Sequence, residues 1–293
     1  MLSATGTPTS VDRVPVGQPV TIYAEWEQGG DATDPGTVAV TVASDRQASN
    51  ILTAAPTTGG PGPVRAVSLT AAQTVNLDWL TLTWIAADGS VLTTYAEVVG
   101  GFLFPLARAR KISPLQDTTV YTNDQLLEMR TLAEDAIEDI CGVAFVPRYR
   151  HEEVSIESYG LLHGSRRNIQ NVIQLSTFMT SSSGGSQVPL PNLNGLQIVA
   201  GYEVYMPTLW NWFSRPIMMA YEHGYRFPPP RVANAALLLA RRWCIESPWD
   251  ERTTGFRTRD GGEMSILTAS HMDAFDLPEV VAVADAYGFP LVV

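Results

Sequence analysis

Lysine is nearly absent from this chain of 293 residues: Lys111 stands alone, and the 19 basic residues face 30 aspartates and glutamates. The formal net charge of −11 and a pI near 4.8 argue against a protein that grips nucleic acid, because that affinity comes largely from cations that neutralise phosphates. They do not exclude one that DNA passes. Cysteine is almost as scarce. Cys141 and Cys244 lie far apart in apolar, helical settings, so two buried thiols are expected rather than a disulfide framework or a metal site. Long apolar runs are missing too: the longest, AALLLA at 235–240, is far short of the ~20 residues that cross a bilayer. The opening MLSATGTPTS has neither a basic start nor an apolar stretch, so no signal peptide is expected. There is no GxSxG, HExxH, CxxC or phosphate-cradling glycine loop, which points away from an enzyme and from any cofactor.

What is present reads as ordinary globular protein, 45% hydrophobic and 17% charged, and long enough for two domains at a prior of ~150 residues each. From about 14 to 100 the texture is all strand. QPVTIYAEWE sets Val20, Ile22, Ala24 and Trp26 on one face against Thr21, Tyr23, Glu25 and Glu27 on the other, the period of a half-buried strand. GTVAVTVAS, PVRAVSL, LDWLTLTWIA and VLTTYAEVV follow, the last two flanking Asp88-Gly89, a hairpin signal. Several short strands at this spacing predict an all-β Ig-like sandwich over 1–100.

After Gly100-Gly101 the segment 101–121 reads as a linker, and 122–293 as an α+β domain: a small α-helical bundle carrying an inserted antiparallel β-sheet. Thr122 opens the first helix, to about 141, with Gln125 completing a capping box. Leu126, Met129, Ala133, Ala136, Ile137 and Ile140 form its apolar stripe, while Glu128, Glu134, Asp135, Glu138 and Asp139 are expected to face water; Gly142 ends it. A second helix spans about 230–247, its stripe made by Val232, Ala235, Ala236, Leu239, Ala240 and Trp243, and a third about 279–287. Between the first two, about 145–225, lie RYRHEEVSIES, NIQNVIQLST, GLQIVAGYEVY and PIMMAYEHGY, four strand-like stretches that make up the insertion. The step from helix into this insertion is abrupt, at EDICGVAFVPRYR.

Three places invite a functional reading. His151-Glu152-Glu153 suggests a metal, but neighbours on a strand point to opposite faces, so a solvated strand of mixed charge is expected; His163, His223 and His271 are isolated. Trp210, Trp212 and Phe213 sit at what reads as a hairpin tip. They are candidates for contact with a partner, for packing onto their own domain, or for stacking sugars. SPWDERTTGFRTRDGGEMSILTASHMDAFDLPEV, 247–280, is a long connection of the kind that is functional or disordered. Its Trp249, Asp250, Arg252, Arg257, Arg259, Met264, Ile266 and Leu267 suggest an arm ordered against a neighbouring chain. SSSGGSQ at 181–187 reads as a flexible tip and GSRRN at 164–168 as a basic turn, neither carrying chemistry by itself.

In that order, TNDQLLEMRTLAEDAIEDICGVAFVPR, YEHGYRFPPPRVANAALLLARRWCIESPWDERTTGF, GGEMSILTA and LPEVVAVADAYGF resemble the head-to-tail adaptor, or connector, proteins of tailed bacteriophages infecting actinobacteria. The resemblance runs from about Tyr121 to the C-terminus and leaves the strand-rich first hundred residues outside it. It implies a structural protein of the virion neck, assembled in the host cytoplasm. Its partners would be other copies in a ring of about a dozen, the portal protein, a stopper or tail-completion protein, and DNA passing through the lumen unbound, with no membrane. A carbohydrate-binding virion protein, acting through the Ig-like domain and exposed aromatics, is the alternative that the residues leave open. A secreted adhesin fits less well.

Overall fold

The computed structural model describes residues 11–28, 31–47, 49–156, 160–181, 184–190, 193, 195–199, 201, 203–207, 216–245, 255–257, 263–265 and 277–288. The chain forms two compact units, each built from two stretches: Met1–Gly101 with Val146–Arg226, and Phe102–Phe145 with Phe227–Val293. The expected division at a linker, with the second set of strands grouped with the helices, differs from this one.

In the first unit, β1 (Asp12–Pro15), β2 (Val20–Glu25), β3 (Glu27–Gln28), β4 (Asp31–Ala32), β5 (Val38–Ser44), β6 (Leu52–Pro56), β7 (Val64–Leu69), β8 (Asp78–Ala86) and β9 (Val91–Val99) build a β-sandwich. One sheet has the order β1-β9-β8-β5-β6, with β1 parallel to β9, and β2 pairs with β7 in a second sheet. Alternation explains the packing. Ile22 and Ala24 from β2, and Trp26 just after it, meet Val40 and Val42 from β5 and Leu80, Leu82 and Trp84 from β8, all buried, while Thr21, Tyr23 and Glu25 face out. Each large aliphatic side chain so buried contributes about 1.5–3 kcal/mol. Gly89, at φ +85°, makes the β8–β9 turn as its Asp-Gly signal required.

The alternation fails at the end of β9, where Ala96, Glu97, Val98 and Val99 are all buried. The cause is a second layer. β10 (Arg148–Val154), which contacts β8 and β9, belongs to the sheet β10-β16-β12-β13, with β12 (Ile169–Ser181), β13 (Gly184–Pro189) and β16 (Ile217–His223). A three-stranded sheet, β11-β15-β14, is made by β11 (Leu161–His163), β14 (Gln197–Val199) and β15 (Glu203–Tyr205). The two sheets share a core of Leu162, Val172, Leu175, Val204, Met219 and Tyr221. Of the stretch expected to be a flexible tip, 181–187, Ser181 ends β12 and Gly184 to Gln187 belong to β13, which pairs with it; residues 182 and 183 lie outside the described residues.

The second unit contains α1 (Leu106–Ala109), α2 (Asn123–Cys141), α3 (Pro230–Ile245) and α4 (Pro278–Tyr287), with the ribbon β17 (Gly255–Arg257) and β18 (Glu263–Ser265). α2, α3 and α4 pack on one another. The capping box at Thr122 and Gln125 is present, and Gly142 ends α2 in the left-handed conformation. The supposed linker is packed: Leu103, Phe104, Ala109 and Leu115 are buried.

The wet face assigned to α2 needs correcting. Glu134 and Glu138 are buried beside Leu126, Ala133, Ile137 and Cys141, whereas Leu127 and Leu132 are exposed. A buried carboxylate is tolerated when N–H groups solvate it. Glu134 accepts the amide of Leu103 at 2.7 Å and Glu138 that of Phe145 at 3.1 Å. One turn apart on α2, they fix the chain before the helix and after it, and Phe145 then meets Tyr287 edge to face at 5.2 Å. The abrupt change of character at EDICGVAFVPR is this anchoring.

The first unit receives the chain back at a single place. Gly100 donates its amide to Pro147 O at 2.8 Å, and a Cβ on Gly100 would lie 2.6 Å from Pro147 Cγ. A proline ring cannot swing away, so Gly100→Ala is expected to destabilise the first unit by about 1–3 kcal/mol in urea unfolding. Unchanged stability would show that this contact is not tight.

Candidate functional site

The residues singled out in the sequence divide into those the structure describes and those it does not. Trp210, Trp212 and Phe213 lie outside the described residues, as do Trp249, Asp250, Arg252, Arg259, Ile266 and Leu267. Arg257 and Met264 stand in β17 and β18, which pair with Phe256 opposite Met264 and Arg257 opposite Glu263. The described part of the arm is therefore a two-stranded antiparallel ribbon, which sequence reading did not anticipate.

The described part of the first unit has a polar seam that sequence reading missed. Glu97 of β9, one of its most buried carboxylates, contacts both Arg148 of β10 and Arg13 of β1, the latter at 3.6 Å. Farther along, Arg46 Nη1 bonds Glu222 Oε1 at 2.7 Å, His151 Nδ1 lies 3.0 Å from Asp45 Oδ1, and Tyr149 Oη donates to Asp45 O at 3.3 Å. Burial pushes the Tyr149 phenol well above its usual range, with the charges of Asp45 and Asp78 adding to it. Burial also raises Asp78, against the opposing hydrogen bonds from Ser44 and from the amides of Arg46 and Trp79. The seam joins the sandwich to the second layer. Removing one partner of such a buried set costs about 3–5 kcal/mol, because the other charge is stranded.

β10 also takes part in a denser arrangement. Pairing sets Arg148 beside His223 and Arg150 beside Tyr221. Glu152 is not the solvated carboxylate expected: it is half-buried and accepts from Ser165 N at 2.7 Å, Ser165 Oγ and Tyr221 Oη at 2.7 Å, with Arg150 Nε at 3.1 Å. Burial raises its pKa, but the Ser165, Tyr221 and Arg150 hydrogen bonds outweigh that and hold it below the usual carboxylate value. Burial and the hydrogen bond to Glu152 together raise Tyr221. His223 is 4% exposed and its Nδ1 is buried without a partner among the described residues. Burial, then the charges of Arg148, Arg166 and Arg150, lower its pKa to about 3. Among the described residues no group of three or more His, Cys, Asp or Glu is placed to hold a metal ion. The outer face of β2 and β7 has a separate feature, an open groove of about 540 Å³ lined by Thr21, Tyr23, Ser68 and the loop Gly59–Val64. Tyr23 is 62% exposed there.

No family model matches the chain, and no curated protein matches it. Among solved structures it is similar to chains of gene transfer agent particles. These are the neck of an empty particle with C6 symmetry (14% identity, 65% of this chain and 92% of that one, TM-score 0.41), the neck of a native particle with C12 symmetry (15%, 61% and 90%, 0.39), and the native virion (14%, 65% and 92%, 0.42).

The buried histidine makes stability depend on pH. Its folded pKa lies below the ordinary value near 6.5, so as pH falls from about 6.5 toward 3 the unfolded chain takes up a proton that the folded one refuses. Stability is full above that window and declines inside it by up to about 1.4 kcal/mol per pH unit. Between pH 7 and 4.5, His223→Gln should lose about 2 kcal/mol less than the parent in urea unfolding. Equal losses would show that His223 does not stay neutral.

Proposed function

We propose that this chain is a structural protein of a virion neck, a head-to-tail adaptor forming a homo-oligomeric ring under the portal, with DNA passing through the lumen. The observation that carries this reading is convergence. The separated segments that resemble the adaptors, TNDQLLEMRTLAEDAIEDIC, RVANAALLLARRWC and PEVVAVADAY, become α2, α3 and α4, and these three helices pack on one another in one unit. The strand-rich half is read as an Ig-like addition. Its strand order, with β1 parallel to β9 and β2–β7 facing β9-β8-β5, supports that reading. An acidic chain suits a channel wall, since it gives passing DNA no counterion-release gain. The stretch 247–269, whose described part is the β17–β18 ribbon, is proposed as the contact with portal or neighbouring subunit, and Trp210, Trp212 and Phe213 as a subunit or tail-side contact.

The test is genetic. Particles made without this protein should accumulate as DNA-filled heads and free tails, and supplying the full chain should join them, while a chain lacking 247–269 should not. Fully tailed particles without the protein would overturn the reading. If such tailed particles also failed to adsorb to cells, the carbohydrate-binding alternative, with the Tyr23 groove as its platform, would take its place.

A further inference from the structure

We infer that the groove on the outer face of β2 and β7 binds a neutral carbohydrate, a short pyranose chain stacked on Tyr23. Strand pairing sets its floor: Tyr23 stands opposite Ala66, and Thr21 opposite Ser68, so one exposed ring and two hydroxyls share a face. The wall is the loop Gly59–Val64, and a buried arginine holds it. Arg65, 5% exposed, donates from Nη1 to Gly60 O at 3.1 Å, Gly62 O at 2.8 Å and Val64 O at 2.9 Å, and from Nε and Nη2 to Gly36 O. Asp34 pairs with that guanidinium and accepts the amide of Gly62 at 3.3 Å. At the stems Thr58 and Ala66 exchange both backbone bonds, at 2.9 and 2.8 Å, and a Cβ on Gly59 would lie 2.7 Å from Val64 O. A loop of three glycines and two prolines has little side chain of its own to bury. What the buried guanidinium secures there is the shape of a surface.

The lining selects the ligand. None of the described residues that line the groove carries a charged side chain, although 17% of the chain is charged, so an ionic ligand finds no counter-charge there. Thr21 Oγ1 and Ser68 Oγ lie 3.1 Å apart, and whichever donates, the pair keeps one hydroxyl hydrogen and free lone pairs for a ligand. Thr58 adds a third hydroxyl to the lining. A flat apolar ring with hydroxyls beside it matches a pyranose, whose C–H face is apolar and whose rim is hydroxyl. A proline-rich peptide is the rival occupant, but the grooves that take one are lined by several aromatics, and this groove has a single ring. Because the wall is already fixed, little ordering is required on binding.

The site adds a ligand to the neck reading and does not depend on it. The full chain is titrated with maltotetraose, cellotetraose and chitotetraose, and binding is read by saturation-transfer NMR and by calorimetry. At least one of these sugars should bind with a millimolar or tighter dissociation constant. Tyr23→Ala should weaken that binding about tenfold or more, whereas Tyr23→Phe, which keeps the ring, should stay within about threefold of the parent. Ser68→Ala removes one hydroxyl without touching the ring; it should weaken binding about threefold, and serves if Tyr23→Ala is unstable. Binding of none of the three sugars, or equal binding by parent and Tyr23→Ala, overturns the proposal. Capture of decaproline that needs Tyr23, with no sugar bound, gives the groove to an extended peptide and overturns it as well. None of these results bears on the neck reading, which the assembly of particles tests independently.

Discussion

The amide of Gly100 bonded to Pro147 O is the constraint on which the first unit depends. The chain leaves the sandwich at the end of β9, builds part of the helical unit, and must come back to where it left before β10 can begin. A side chain on Gly100 would collide with the Pro147 ring, so the crossing tolerates only the smallest residue there. Once the strand is returned, Arg148 falls beside Glu97, and β10 covers the last turns of β9. The seam of Arg46, Glu222, Asp45, His151 and Tyr149 then extends the contact without any large apolar patch.

Helix α2 answers that constraint in the second unit. Glu134 and Glu138 carry the backbone amides of Leu103 and Phe145, the residues just after departure and just before return. Two carboxylates under a helix would be costly without donors, and each has found one in the segment that the helix has to hold. Arg130 adds a cation over the Phe102 ring, 3.4 Å from its centroid. At Glu134 and Glu138 buried charge serves to place the chain where it enters and leaves the segment 102–145.

Much of this was legible in the residues where local rules decide. Alternation in β2 and β8, the Asp88-Gly89 turn, the Thr122 capping box and the Gly142 cap all depend on neighbours a few positions away, and each is where pattern put it. Failures came where a distant partner overrides the pattern. Glu134, Glu138 and Glu152 read as solvent-facing because their amide and hydroxyl donors lie in other segments. Residues 102–121 read as a linker because apolar residues without a period give no element, although Leu103, Phe104 and Leu115 are buried. A strand as short as β11, with three residues, has too few to show a period. GSRRN was seen as a basic turn, but the bonds of Ser165 to Glu152 and of Arg166 N to Tyr221 Oη are made by segments far apart in sequence. The arm and the aromatic tip, the contacts first suspected, stand at residues where only the β17–β18 pairing is described.

The neck assignment rests on assembly, and mass in solution reads assembly directly. Light scattering on the purified 31.9 kDa chain, alone and then mixed with the portal protein of its own particle, is the measurement to make first. A ring adaptor gives a complex many subunits larger than either component. A monomer that leaves the mass of the portal unchanged contradicts it.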